Sequence, residues 1–179
     1  MKQNTDAANT KEKWNRRYEA AQVPGKACAV LHDYRYLLPR QESSCVVLDL
    51  ACGLGGNALY LAHQGFETHA WDISEAAIVK LEQEAQTQKL TLHAQVRDVL
   101  QQPPEPGSFD VIVVSRFLER SLSEAVMAAL KPGGLLFYQT FVQDKDPSVG
   151  PSNSHFLLQP NELRCFAPCM SWSITTRAV

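Results

Sequence analysis

No run of apolar residues in this chain approaches 18, so the sequence offers no membrane-spanning helix. Its opening, MKQNTDAANTKEKW, has no apolar centre of the kind a secretory leader needs. Positive charge is not in excess: 17 Lys+Arg stand against 19 Asp+Glu, for a net charge of −2. With no basic run, the electrostatic footprint expected for nucleic acid or an anionic membrane surface is missing. Cysteine is sparse and odd in number, at positions 28, 45, 52, 165 and 169, with no C-x-x-C pair. That argues against a disulfide framework and for reduced thiols in a cytoplasmic setting. Cys165 and Cys169 lack the further thiol or histidine pair that a zinc site would require, and no metal is expected.

What is present is ordinary globular material. Of the 179 residues, 45% are hydrophobic and 20% charged, enough for one core and one domain. A polar tail over residues 1–10 is expected to be mobile, with a single domain over 11–179. Helical spacing runs from Lys11 to Ala21 and again from Ala27 to Leu38, stopping at Pro39. Trp14 and Tyr18 fall on one face of the first helix.

The stretch CVVLDLACGLGGN, residues 45–57, is the centre of the pattern. Apolar residues lead into Asp49, a loop follows with Gly53, Gly55 and Gly56, and helical spacing resumes at Ala58, Leu59, Leu61 and Ala62. A buried strand, a glycine turn and a helix start let a nucleotide-type ligand lie against bare backbone. The string GLGGNA also fits the dinucleotide pattern G-x-G-x-x-G/A. Asp49 argues against a dinucleotide, because a carboxylate at the strand end repels a pyrophosphate and attracts the sulfonium and amino groups of S-adenosylmethionine. Asp72 lies 17 residues after Gly55, at the end of the next strand (Phe66–Trp71), where an acid hydrogen-bonds ribose hydroxyls. That feature supports a nucleoside without choosing between the two cofactors. Ser74 caps the following helix, which runs to about Gln88.

Downstream, Leu90–Val96 alternates as a strand and Phe109–Val114 is nearly all apolar, as in a central parallel strand. Lys131-Pro132-Gly133-Gly134 reads as a turn into a strand over 135–142. A long loop covers 143–158, a short helix starts at Pro160, and Trp172–Val179 makes a possible sixth strand. Strands alternating with helices predict an α/β fold with a doubly wound, mostly parallel sheet.

The element Asp49-Leu50-Ala51-Cys52-Gly53-Leu54-Gly55-Gly56 resembles motif I of the class I S-adenosylmethionine-dependent methyltransferases. Trp14-Asn15-Arg16-Arg17-Tyr18 resembles the family's Trp-x-x-Arg-Tyr cover helix, and strand–helix–Lys-Pro-Gly-Gly–strand is a signature of the class. The layout is similar to the tellurite-resistance and related small-molecule methyltransferases. The resemblance implies a Rossmann-like fold whose carboxyl-terminal sheet edge is shortened, since no residues remain for a seventh strand. It implies S-adenosylmethionine as cofactor and S-adenosylhomocysteine as product. The implied cofactor set is Trp14, Tyr18, Asp49, Ala51, Cys52, Gly53, Gly55, Asp72, Ile73, Asp98, Val99 and Ser115, with Asp98 at the adenine amino group and Ile73 against the ring.

Ser115-Arg116-Phe117-Leu118 lacks the Asn/Asp-Pro-Pro-aromatic element of enzymes that methylate nucleic-acid or protein amide nitrogens. The expected acceptor is therefore a small molecule, with no nucleic-acid or membrane partner, and the oligomeric state is open. Arg116 is the candidate contact for an anionic acceptor, with Arg17 and Arg120 behind it. His155 is the candidate base. The alternatives are an NAD-type oxidoreductase and a non-catalytic cofactor-binding module.

Overall fold

A computed structural model describes residues 2–21, 23–40 and 44–165. Five strands form one parallel sheet in the order β3-β2-β1-β4-β5. They are β1 (Val46–Leu50), β2 (Glu67–Asp72), β3 (His93–Val96), β4 (Phe109–Ser115) and β5 (Leu130–Gln139). The helices are α1 (Lys2–Ala20), α2 (Ala29–Asp33), α3 (Gly56–His63), α4 (Glu75–Thr87), α5 (Ser123–Ala129) and α6 (Glu162–Cys165). Both faces of the sheet are covered. Leu48, Leu50, Ile112 and Val114 pack on one side with Val126 of α5, and Val47, Val111 and Val113 on the other with Leu31 of α2. A parallel sheet needs this, because its strands turn apolar side chains to both faces. Fully burying one such side chain stabilises by about 1.5–3 kcal/mol.

The chain winds outward from β1 to β2 and β3, then crosses back to lay β4 on the other side of β1. The winding therefore reverses between β1 and β4, the place where a sheet of this kind takes a ligand at its strands' carboxyl ends.

Several expected boundaries differ. Helix α1 begins at Lys2, ahead of the helical spacing expected from Lys11. Residues 2–13 hold no glycine or proline to stop a helix, yet their apolar spacing is too poor to announce one. The helix expected over 27–38 breaks after Asp33 into a 3₁₀ turn at Arg35–Leu37. There the Arg35 guanidinium donates to the His32 carbonyl at 2.8 Å, and Tyr36 and Leu37 stay exposed. Strand β3 begins at His93, three residues later than expected.

Lys131–Gly134 is not a turn before a strand. Phe109 pairs with Leu130 and Val111 with Leu135, so these residues bulge out of β5 itself. Gly133 supplies the positive φ, +79°, and the Lys131 ammonium holds Asp110 at 2.7 Å. Strand β5 ends at Gln139, and the possible strand over 172–179 lies outside the described residues.

The segment after β5 is ordered by Arg120. Its guanidinium meets Glu162 at 2.5 Å and donates to the carbonyls of His155 (2.7 Å) and Leu157 (3.1 Å). A parallel bridge joins Val142 to Leu158. Among the described residues, no helix is long and apolar enough to cross a membrane.

Candidate functional site

The carboxyl end of β1 turns sharply. Ala51 takes a left-handed φ of +55°, Gly53 follows at +55° and Gly55 at +79°, and α3 starts at Gly56. A left-handed alanine is a backbone conformation that costs energy, and such strain concentrates at functional turns. Arg116, at the end of neighbouring β4, is left-handed as well, at +56°. The two strained non-glycine residues thus flank the point where the winding reverses.

Asp72 clamps the turn from the side. Its Oδ2 accepts from the Gly53 N–H and its Oδ1 from the Ser74 N–H, both at 2.8 Å. The carboxylate is nearly buried, and burial raises its pKa against the pull of those N–H groups. Ser74 caps α4 as expected, accepting from the Ala77 N–H at 3.2 Å.

Asp49 closes β1. It is fully buried, and its side chain turns into the protein interior. Its Oδ2 accepts from the Ala58 N–H at 3.0 Å and its Oδ1 from the Asn57 Nδ2 at 3.1 Å. The carboxylate therefore sits against the first turn of α3, where orphan N–H groups and the helix dipole favour negative charge. Burial pushes its pKa up to about 7, with the Asn57 and Ala58 hydrogen bonds opposing. The side chain supports the glycine turn from beneath.

Asn57 was missed by the sequence reading. Its Nδ2 serves Asp49 and also the Ser115 Oγ at 3.2 Å, while its Oδ1 accepts from the Cys28 N–H at 2.8 Å. One buried amide ties β1, β4, α3 and the start of α2 together. Its place directly after Gly55-Gly56 is the only sequence signal it carries.

Helix α1 lies across the turn. The Tyr18 hydroxyl is 2.6 Å from where a Cβ on Gly53 would stand, so no larger residue fits there without moving it. Trp14 stacks on Tyr18 with ring centroids 5.7 Å apart. Asn15 Oδ1 accepts from the Ser74 Oγ at 2.7 Å, fixing α1 to the α4 cap. Lys80 donates to the carbonyls of Tyr18, Glu19 and Ala21, closing the end of α1. Burial, then the charge of Asp72, raises the Tyr18 pKa and keeps the phenol protonated.

The remaining expected residues fall as follows. Ile73 is half-buried beside Asp72. The Cys52 thiol is held far above its usual pKa by burial, and its N–H donates to the Trp71 carbonyl at 3.0 Å. Asp98 folds onto its own turn, accepting from the Leu100 N–H at 3.0 Å. Val99 packs in the core with Trp71. Arg116 is exposed, its N–H bonded to the Gln139 carbonyl at 2.7 Å. Arg17 lies over Trp14 and Arg120 is engaged with Glu162. His155 is exposed on the ordered loop.

A Rossmann-like sheet with a strained glycine turn, clamped by an acid at the end of the second strand, defines a nucleoside-cofactor α/β protein. Residues 47–134, just under half of the chain, match the family described as a methyltransferase domain, and the parallel sheet fits the Rossmann-like fold of the class I S-adenosylmethionine-dependent methyltransferases. S-adenosylmethionine is the cofactor of that family, which sets aside the dinucleotide alternative.

Among relatives, the chain is similar to a probable S-adenosyl-L-methionine-dependent methyltransferase, TehB, of Haemophilus influenzae. The two are 37% identical over 57 residues, 32% of this chain and 20% of the relative. It is also 31% identical over 129 residues to hemagglutinin 1 of Eikenella corrodens, 67% of this chain and 42% of that one. The crystal structure of TehB from H. influenzae superposes with a TM-score of 0.62 at 24% identity, covering 88% of this chain and 54% of that one. A chain from work on conversion of a disulfide bond into a thioacetal group during echinomycin biosynthesis gives a TM-score of 0.71 at 21% identity, covering 88% and 77%. The latter two show the fold. The chain spans less than half the length of these curated relatives.

Proposed function

We propose that the chain binds S-adenosylmethionine across the carboxyl ends of β1, β2 and β4, and that its methyl group passes by direct in-line displacement to a small-molecule acceptor. The Asp72–Gly53 junction supports this reading most. Each Asp72 oxygen accepts one backbone N–H and keeps capacity for a second donor, which fits ribose hydroxyls. The turn Ala51-Cys52-Gly53, opened by Gly55, takes the amino-acid end. Ile73 and Asp98 flank the adenine, while Trp14 and Tyr18 cover the site. Asp49 and Val99 contribute from below, the first through α3 and the second through packing.

The cofactor supplies a methyl already activated on a sulfonium, so the C–S pair returns to sulfur as the new bond forms. The protein's work is to hold the nucleophile in line and keep water out. Ser115 and Arg116 stand at the end of β4, where an exposed guanidinium meets an anionic acceptor. His155 takes a proton where the acceptor arrives protonated. The net charge of −2 favours a small molecule over nucleic acid.

Incubation with methyl-labelled S-adenosylmethionine and a fractionated cell extract tests the reading. Label in the small-molecule fraction is the expected result. Label confined to protein or nucleic acid overturns the acceptor class. No S-adenosylhomocysteine in any fraction favours the non-catalytic module.

A further inference from the structure

Two histidines and a glutamate meet at the far edge of the sheet, away from the proposed methyl-transfer site. Glu67 and His69 point to one face of β2, two residues apart, and His69 is the register partner of His93 on β3. The two imidazoles stack with centroids 4.8 Å apart and 29° between planes. Glu67 Oε1 stands 3.7 Å from His69 Nε2, too far for a hydrogen bond. One donor atom from each of the three residues lies within 4.8 Å of the other two. His69 and Asp72 are three residues apart along β2, about 10 Å, so this cluster is a separate place on the molecule.

We propose that Glu67, His69 and His93 form a site for one divalent d-block cation, zinc foremost, which staples edge strand β3 to β2.

Two imidazoles and a carboxylate suit zinc, copper or nickel, not magnesium or calcium, which prefer all-oxygen shells. Tetrahedral zinc with bonds near 2.0–2.1 Å sets its donors about 3.4 Å apart, so the present separations close by small side-chain rotations. Glu67 and His93 are exposed and free to make them. His69 is the fixed member, held between His93 and the edge of the Phe109 ring, whose centroid is 5.8 Å away. Three protein ligands leave a fourth position for water or an outside ligand. No short motif announces the site, because its third ligand is 24 residues from the second and reaches it only through the β2–β3 register.

The test uses the full chain, free of any affinity tag and kept reduced, in calorimetric and thermal-unfolding titrations with zinc chloride and magnesium chloride. One zinc per chain and a zinc-dependent rise in Tm, absent with magnesium, are expected. His93→Ala and Glu67→Gln change exposed side chains and leave the fold intact by circular dichroism. Each weakens zinc binding at least about tenfold. His63→Ala, whose ring instead faces Gln88, leaves it unchanged. Zinc affinity unaltered in both ligand variants, as when thiols hold the metal, overturns the proposal. So does a Tm that zinc does not raise.

Discussion

Asp49 carries a carboxylate into the interior because a helix start waits there for it. The hydrogen bonds from Asn57 and Ala58 do not fully offset its lost hydration, so the folded-state pKa stands near 7, above the ordinary value of 3.8. The folded chain then binds this proton more tightly than the unfolded chain. The proton's contribution to stability is full below about pH 4 and is lost as pH rises through 7. Asp72 shifts in the same direction. Urea unfolding at a series of pH values should therefore show stability falling across that window. Asp49→Asn should flatten the slope, while costing about 1–3 kcal/mol where its amide N–H meets another donor. At Asn57, truncation to alanine leaves the Asp49 Oδ1 and the Cys28 N–H without their partner. A loss of about 1–3 kcal/mol for each such buried group is expected in the same assay. The places of Asp49, Gly53 and Asp72 were legible in the sequence, since strand end, turn and next strand end follow one another along the chain. The hub role of Asn57 was not, because it depends on how close β4 and the residues before α2 come to α3.

At the scale of elements, α1 is fastened by polar contacts at its end and at the α4 cap. Lys80 collects two of its last carbonyls and that of Ala21 just past its end, and Asn15 grips the α4 cap. Lys80→Ala should release the end of α1. Amide exchange over residues 14–20 should rise at least several-fold while β1 and β4 stay protected, because fraying needs no opening of the sheet. Equal exchange in both proteins would show that the stacked Trp14 and Tyr18 suffice to dock the helix. The strands themselves were readable: β1 and β4 are short apolar runs bounded by turn residues. The start of α1, the break after α2 and the bulge in β5 were not readable. Polar helical residues carry no apolar period, and Pro-Gly-Gly signals a chain reversal whether it lies before a strand or within one.

The whole molecule is a five-stranded parallel sheet among its described residues, wound outward in two directions from β1. That winding puts the strained ends of β1 and β4 side by side and leaves the carboxyl ends of the central strands for a ligand. The alternation of strand and helix told as much of the architecture in advance. The loop of 143–158 did not declare its order, because Arg120, which fastens it, lies more than 20 residues earlier in the chain. The central claim is that a nucleoside cofactor lies over the Gly53 turn with Asp72 on its ribose. Calorimetric titration with S-adenosylhomocysteine tests it most directly, on the natural sequence and on Asp72→Asn. Saturable micromolar binding, at least about tenfold weaker in the variant, is the outcome this account requires, since a bond to a charged group contributes roughly 1.5–3 kcal/mol. No binding to the folded protein, or equal affinity in both, would contradict it.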